Sequence, residues 1–132
     1  MNQIKPLMLC LLLAFLAIPA TAELEGWQYY KNIEIKENSG PTLTDYQVLL
    51  DLSGTNFPVY AKHDGADLRF LLNGKELSYW IEEFNPSAKT GKVWLKVPYI
   101  KASETVTLQM YYGNPSATAR SNGDKTLECE YG

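Results

Sequence analysis

Cysteine and histidine are almost absent from this chain, which has two cysteines and one histidine in 132 residues. Cys10 lies in an apolar N-terminal run that we expect to be removed, which leaves Cys129 alone. A disulfide within the domain and a cysteine-based metal site are therefore excluded. Two alternatives remain for Cys129: a buried strand residue, or a disulfide that joins two chains in an oxidising compartment.

Long apolar runs are absent beyond the N-terminus. A short basic start, "MNQIK", is followed by "PLMLCLLLAFLAIPA" and by "ATA", which ends at Ala22 and fits the cleavage rule of secretory signal peptides. We therefore predict a signal peptide over residues 1–22 and one domain over residues 23–132. The protein is then secreted, periplasmic or at the cell surface, with no transmembrane segment after cleavage. An uncleaved N-terminal anchor is the alternative, although the apolar run is shorter than the ~20 residues of a comfortable span.

Basic clusters are also lacking. The whole chain has 12 basic and 15 acidic residues, and loss of Lys5 with the leader leaves 11 against 15, a net charge of −4. A mildly acidic chain without clustered lysine and arginine argues against nucleic acid as a partner.

Helical periodicity is missing after the leader, because glycine, proline, asparagine or aspartate interrupts every apolar pattern within about a dozen residues. Short alternating runs between these turn signals predict an all-β fold, an antiparallel β-sandwich of about seven strands, jelly-roll-like or immunoglobulin-like. Asn73-Gly74 predicts a tight hairpin between "ADLRFLL" and "LSYWIEEF". The alternation predicts that Tyr46 points inward, together with a core of Ile33, Ile35, Val48, Leu50, Leu52, Leu68, Phe70, Leu72, Tyr79, Ile81, Val93, Leu95, Val97, Val106, Leu108 and Met110.

Six ordered segments carry a family resemblance: "WQYYKNIEI", "LTDYQVLLDL", "HDGADLRF", "LSYWIEEFN", "VWLKVPYI" and "MYYGNPSATARSNGD". Together they resemble the domain of unknown function 2341 family of secreted and cell-surface proteins of bacteria and archaea. Members of that family often precede a concanavalin-like lectin or glucanase domain, and some are named as MotA/TolQ/ExbB proton channel proteins. The resemblance spans Trp27 to about Leu127. It implies an extracellular β-sandwich that binds carbohydrate or a surface, and it brings no catalytic residues.

Residues that could carry catalysis are few. His63 stands alone in a loop, without the convergent groups of a triad. Glu82 and Glu83 are neighbours on a predicted strand, so regular alternation places them on opposite faces, where they cannot flank one glycosidic bond. We therefore expect a protein that is not an enzyme.

Oxygen ligands in two loops suggest a calcium site as the one candidate for a cofactor. "HDGAD" supplies Asp64 and Asp67, and "SNGD" supplies Asn122 and Asp124. The alternative is that these residues serve turns, where aspartate and asparagine are favoured for backbone reasons.

Exposed aromatic residues give the strongest indication of a ligand. If "YWIEEF" and "KVWLKV" are neighbouring antiparallel strands, alternation places Trp80, Glu82 and Phe84 on the outer face with Lys92, Trp94 and Lys96. Indole rings beside charged groups suit a sugar, although cross-strand pairs also stabilise sheets unaided. Of Tyr111 and Tyr112, one should cap the core and the other should face out. The predicted ligand-binding residues are Trp80, Glu82, Trp94, Lys96 and Tyr112.

These observations predict a secreted, non-catalytic module that binds carbohydrate or a cell-surface polymer. The alternative is a structural or assembly module, which packs on another chain or on a missing lectin-like domain through the same face, or which dimerises through Cys129.

Overall fold

The computed structural model of the protein describes residues 24–37 and 40–127. The predicted leader, Cys10 and Cys129 lie outside the described residues. Within these ranges no helix has both the length and the apolar character that crossing a membrane requires. The seven strands are β1 (Tyr29–Lys36), β2 (Leu43–Ser53), β3 (Arg69–Leu72), β4 (Lys75–Glu76), β5 (Tyr79–Asn85), β6 (Thr90–Ile100) and β7 (Thr105–Tyr112).

The strands form two antiparallel sheets, as the alternating runs predict. One sheet has the order β1-β7-β3-β4, and the other has the order β2-β6-β5. The two sheets face each other across a single apolar core, and all sixteen predicted core residues are buried in it or pack against it. Phe57, Leu77 and Ile100 are buried members that the strand pattern did not predict.

The Asn73-Gly74 turn is present, but its partner strand is not the predicted one. Both residues have positive φ, 52° and 81°, as a type I′ turn requires. The turn joins β3 to the two-residue strand β4, in the register Leu72 opposite Lys75. The chain then crosses at Leu77 to the other sheet, where β5 pairs with β6. The expected hairpin between "ADLRFLL" and "LSYWIEEF" is therefore wrong beyond its turn.

A β-bulge in β5 changes which residues face the core. The register is regular up to Ile81 opposite Val93 and resumes at Glu83 opposite Lys92, so one extra residue is inserted. Phe84 consequently lies opposite Gly91 and stacks on Phe57, with ring centroids 4.9 Å apart. The expectation that Phe84 lies on the outer face is wrong, because simple alternation does not survive a bulge.

Tyr46 lies on the inward side of β2, as predicted, but it is not covered. It pairs with Val97, but its side chain is 45% exposed. Tyr46 lines a cavity of about 410 Å³ with Ile35 and Val48, where β1 and β2 leave the side of the sandwich open. The residue thus lies at the rim of the core.

The end of the described chain covers the free edge of β5. The backbone N–H of Asn122 donates to the Tyr79 carbonyl at 2.8 Å, and the Ile81 N–H donates to the Ser121 hydroxyl at 2.8 Å. One helical turn, α1 (Gly123–Thr126), follows, and the Asn122 side chain caps it by accepting from the Lys125 N–H. Residues 128–132, which include Cys129, lie outside the described ranges.

Candidate functional site

The outer face of the three-stranded sheet carries a row of large apolar side chains. Trp94 of β6 lies between Leu49 of β2 and Trp80 of β5, and each of the two is directly in register with it. Leu49 is 41% exposed, and both indoles are partly exposed. Residues directly opposite in adjacent strands have side chains in contact range. Together with two charged neighbours, this row forms a surface that we call the Trp face: Leu49, Trp80, Glu82, Trp94 and Lys96.

Glu82 lies on the Trp face, as alternation from Trp80 predicts. The Trp94 indole Nε1–H donates to Glu82 Oε1 at 2.8 Å, which fixes the ring and leaves the second carboxylate oxygen beside it. Glu83 is in register with Lys92, on the same outer side. The expectation that Glu82 and Glu83 face opposite ways is therefore wrong. The bulge supplies the physical reason, since it adds a residue between the two pairs.

Lys96 and Gly123 border the Trp face. Lys96 follows Trp94 by two positions on β6, pairs with Gln47, and is half-buried. Gly123 of α1 lies against the Trp80 ring, close enough that a Cβ there would touch the indole at 3.4 Å. One edge of the Trp80 ring is thus supported by the chain itself. The surface as a whole is an apolar row bordered by carboxylate, amide and ammonium groups.

Tyr112 does not belong to the Trp face. It is at the end of β7 in the other sheet and is 6% exposed, as a member of the core. Tyr111 is buried as well. The expectation that one of the two tyrosines is exposed is therefore wrong. The Tyr112 ring stacks on Tyr29, and Tyr29 stacks on Tyr60. Burial raises the pKa of Tyr112, and the neighbouring Tyr29 and Tyr60 raise it further. The Tyr112 hydroxyl therefore remains neutral around pH 7.

Asp67, one of the predicted calcium ligands, is fully buried and used by the backbone. Its Oδ1 accepts from the Lys62 N–H at 2.8 Å, and its Oδ2 accepts from the N–H groups of Gly113 and Asn114 at 2.7 and 3.0 Å. A carboxylate with three such donors is satisfied without a cation. Asp67 joins two loops that are 46 residues apart in sequence.

The other predicted metal ligands are dispersed in local roles. Asp64 is exposed and accepts from the Ala66 N–H, an Asx turn. Asn122 caps α1, and Asp124 is exposed in its first turn. Over residues 24–37 and 40–127, no three histidine, cysteine or carboxylate side chains are grouped as a metal site requires. His63 lies exposed in its loop.

A buried arginine is the feature that sequence reasoning missed. The Arg69 guanidinium is 2% exposed and donates to the carbonyls of Ala66, Leu68 and Thr118 at 2.9, 2.8 and 2.6 Å. It also lies 5.1 Å from the centre of the Trp27 ring. Arg69 alternates with Phe70 in "DLRFLL", so the pattern predicts that it faces outward and gives no sign that it is buried. The residues that cover Arg69, such as Trp27 and Thr118, are distant in the sequence.

Comparison with known proteins returns one result. Residues 64–130, half of the chain, match the family described as a domain of unknown function, DUF2341. No curated protein and no solved structure matches the chain.

Proposed function

Because this chain belongs to the DUF2341 family, whose description assigns no activity, we propose a function from its surface: a non-catalytic module that binds carbohydrate through the Trp face. The observation that carries the proposal is the register of Trp80 opposite Trp94, with Glu82 hydrogen-bonded to the Trp94 indole. A sugar ring presents C–H groups on its flat side and hydroxyls around its rim. Adjacent indoles can cover the flat side, while carboxylate, amide and ammonium groups can bind the hydroxyls.

The charges of the surface favour a neutral sugar chain. Glu82 and Glu83 are acidic, Lys92 and Lys96 are basic, and neither sign dominates. A row of three side chains across three strands, roughly 10 Å between its outer members at the usual strand spacing, matches about two sugar units. The leader-like residues 1–22 support placing this activity outside the cytoplasm.

An assembly module is the second candidate, and Leu49 favours it. An exposed leucine beside two partly exposed tryptophans is also what a protein interface presents. In that case the Trp face packs on another chain or on a lectin-like domain. The two candidates use the same residues, but they differ in whether the purified chain binds glycan or associates with itself.

Replacing Trp94 by alanine separates binding from folding. Trp94 points away from Val93 and Leu95 of the core, so we expect a loss of about 1 kcal/mol or less in the free energy of unfolding. Glycan affinity should fall about tenfold or more, since an aromatic contact contributes of order 1 kcal/mol beyond its buried area. A glycan array with the whole chain identifies the ligand, and calorimetry of wild type and variant measures the loss.

Tyr99→Ala is the matched control, because Tyr99 is an exposed aromatic residue on the same strand and outside the Trp face. It should retain wild-type affinity. A wild-type chain that binds nothing on the array contradicts the proposal. If that chain instead sediments as a dimer that Leu49→Asp dissociates, the assembly function replaces it.

A further inference from the structure

Three tyrosines stack at one end of the sandwich, away from the Trp face. The rings of Tyr112 and Tyr29 have centroids 5.5 Å apart, and those of Tyr29 and Tyr60 have centroids 5.0 Å apart, with planes within 24° of parallel. Exposure rises along this tyrosine stack, from 6% at Tyr112 through 39% at Tyr29 to 65% at Tyr60. The first ring closes the core. The last ring stacks on Tyr29 and is mostly in solvent.

Tyr60 is held by an anchored loop. Phe57 and Pro58, just before it, are buried in the core. Just after it, the Lys62 N–H donates to the buried Asp67 carboxylate at 2.8 Å, and the Ala61 N–H donates to the Pro58 carbonyl at 3.0 Å. An exposed ring on a loop fixed at both ends is preorganised, and preorganisation lowers the cost of binding.

The turn at Gly113, which lies against the Tyr29 ring, leaves room for the stack. Gly113 has φ of 89°, and a Cβ at this position would collide with the Tyr29 ring. Its N–H donates to Asp67, the same carboxylate that holds Lys62. A single buried residue thus fixes both the loop that bears Tyr60 and the turn that supports Tyr29.

The stack borders a hollow of about 380 Å³ with polar groups around it. Its lining includes Gln28, Tyr29, Tyr60, Lys62 and Pro115. Lys62 Nζ donates one hydrogen bond to the Ala117 carbonyl at 3.2 Å, which positions the ammonium group at the hollow. The Asp67 carboxylate accepts three backbone N–H groups, so Lys62 supplies the accessible charge among the lining residues named here.

We propose that this hollow is a second sugar-binding site, in which one pyranose ring stacks on Tyr60 while its hydroxyls bind Lys62 and Gln28. A flat exposed ring beside an ammonium and an amide offers the same kind of complementarity to a sugar that the Trp face does. The inference goes beyond the Trp face and does not rest on it. Tyr29 and Tyr112 belong to the four-stranded sheet and Tyr60 to a loop stacked on Tyr29, whereas Trp80 and Trp94 belong to the three-stranded sheet.

The test is a titration of the whole chain, with labelled tyrosine rings, against soluble hexasaccharides of glucose, xylose, N-acetylglucosamine and galacturonic acid. The ring signals of Tyr60 and Tyr29 should shift with at least one of these probes, at a dissociation constant of about 1 mM or tighter. Tyr60→Ala should weaken that binding about tenfold. Tyr99→Ala, which removes an exposed tyrosine elsewhere, should change it less than about twofold.

The outcomes distinguish this site from the proposed function. Shifts at the tyrosine rings that survive Trp94→Ala support a separate site, whether or not the indoles respond. If Trp94→Ala abolishes them, the hollow is not a site of its own and the Trp face stands alone. If no probe shifts Tyr60, or if Tyr60→Ala has no more effect than Tyr99→Ala, the inference is wrong.

Discussion

Replacing Asp67 by alanine is expected to lower the free energy of unfolding by about 3–5 kcal/mol, among the largest effects of any single substitution in this chain. The substitution removes the acceptor of three backbone N–H groups, those of Lys62, Gly113 and Asn114. Asp67 is fully buried, so water cannot replace the lost partner without a rearrangement. Urea unfolding at neutral pH measures the change.

Asp64→Ala is the control, because Asp64 is exposed and accepts a single N–H in the same loop. It should cost less than about 1 kcal/mol. Asp67→Asn should fall between the two, since an amide oxygen keeps some of the acceptor sites and its NH₂ group cannot accept. If Asp67→Ala unfolds at the same urea concentration as Asp64→Ala, the carboxylate does not hold the two loops together.

Arg69→Ala should be nearly as damaging, with an expected loss of about 3–5 kcal/mol. The guanidinium donates to three carbonyls, those of Ala66 and Leu68 in one segment and that of Thr118 in another. It also lies 3.4 Å from the Tyr79 hydroxyl. Alanine would remove the guanidinium donor from all of these oxygens, although the Leu68 carbonyl would keep the Tyr79 hydroxyl as a donor at 2.6 Å. Arg69→Lys should recover only part of the loss, because an ammonium group cannot reach the same oxygens at once.

The control is an arginine that makes a close ion pair without being buried. Arg120 contacts Glu76 at 2.7 Å, and its side chain is 59% exposed. Solvent-exposed pairs contribute about 0–1 kcal/mol, so Arg120→Ala should be almost neutral in thermal unfolding. Equal losses at Arg69 and Arg120 would contradict the claim that burial, rather than the number of polar contacts, decides the stability here.

The strands and the core could be predicted because period-2 alternation is a local signal. Val93, Leu95 and Val97 repeat at every second position of β6, and all three are fully buried. The Asn73-Gly74 turn is local too, and its positive φ angles follow from residue type. Once β5 and β6 are taken as neighbours, the shared face of Trp80 and Trp94 follows from the same alternation, since Trp80 precedes the bulge in β5.

The remaining features depend on contacts that no short stretch of sequence contains. The bulge at Glu82 reverses the faces after it, so Phe84 was placed outside while it packs inside on Phe57. Asp67 resembled a metal ligand because its donors at Gly113 and Asn114 are more than forty residues away. Tyr112 was assigned to the sugar surface, but it belongs to the core and its ring stacks on Tyr29.

The central claim is that sugar contacts the Trp face, and the indole N–H signals of the chain test it most directly. The chain has three tryptophans, so an ¹⁵N-labelled sample gives three such signals. The Trp27 N–H donates to the Asp67 carbonyl at 2.6 Å, next to the tyrosine stack, so its signal reports on that end of the sandwich and not on the Trp face. On titration with the hexasaccharides named above, we predict that the Trp94 and Trp80 signals shift, in the wild type and in Tyr60→Ala alike. Unchanged Trp94 and Trp80 signals with every hexasaccharide would contradict the proposal that the Trp face binds carbohydrate.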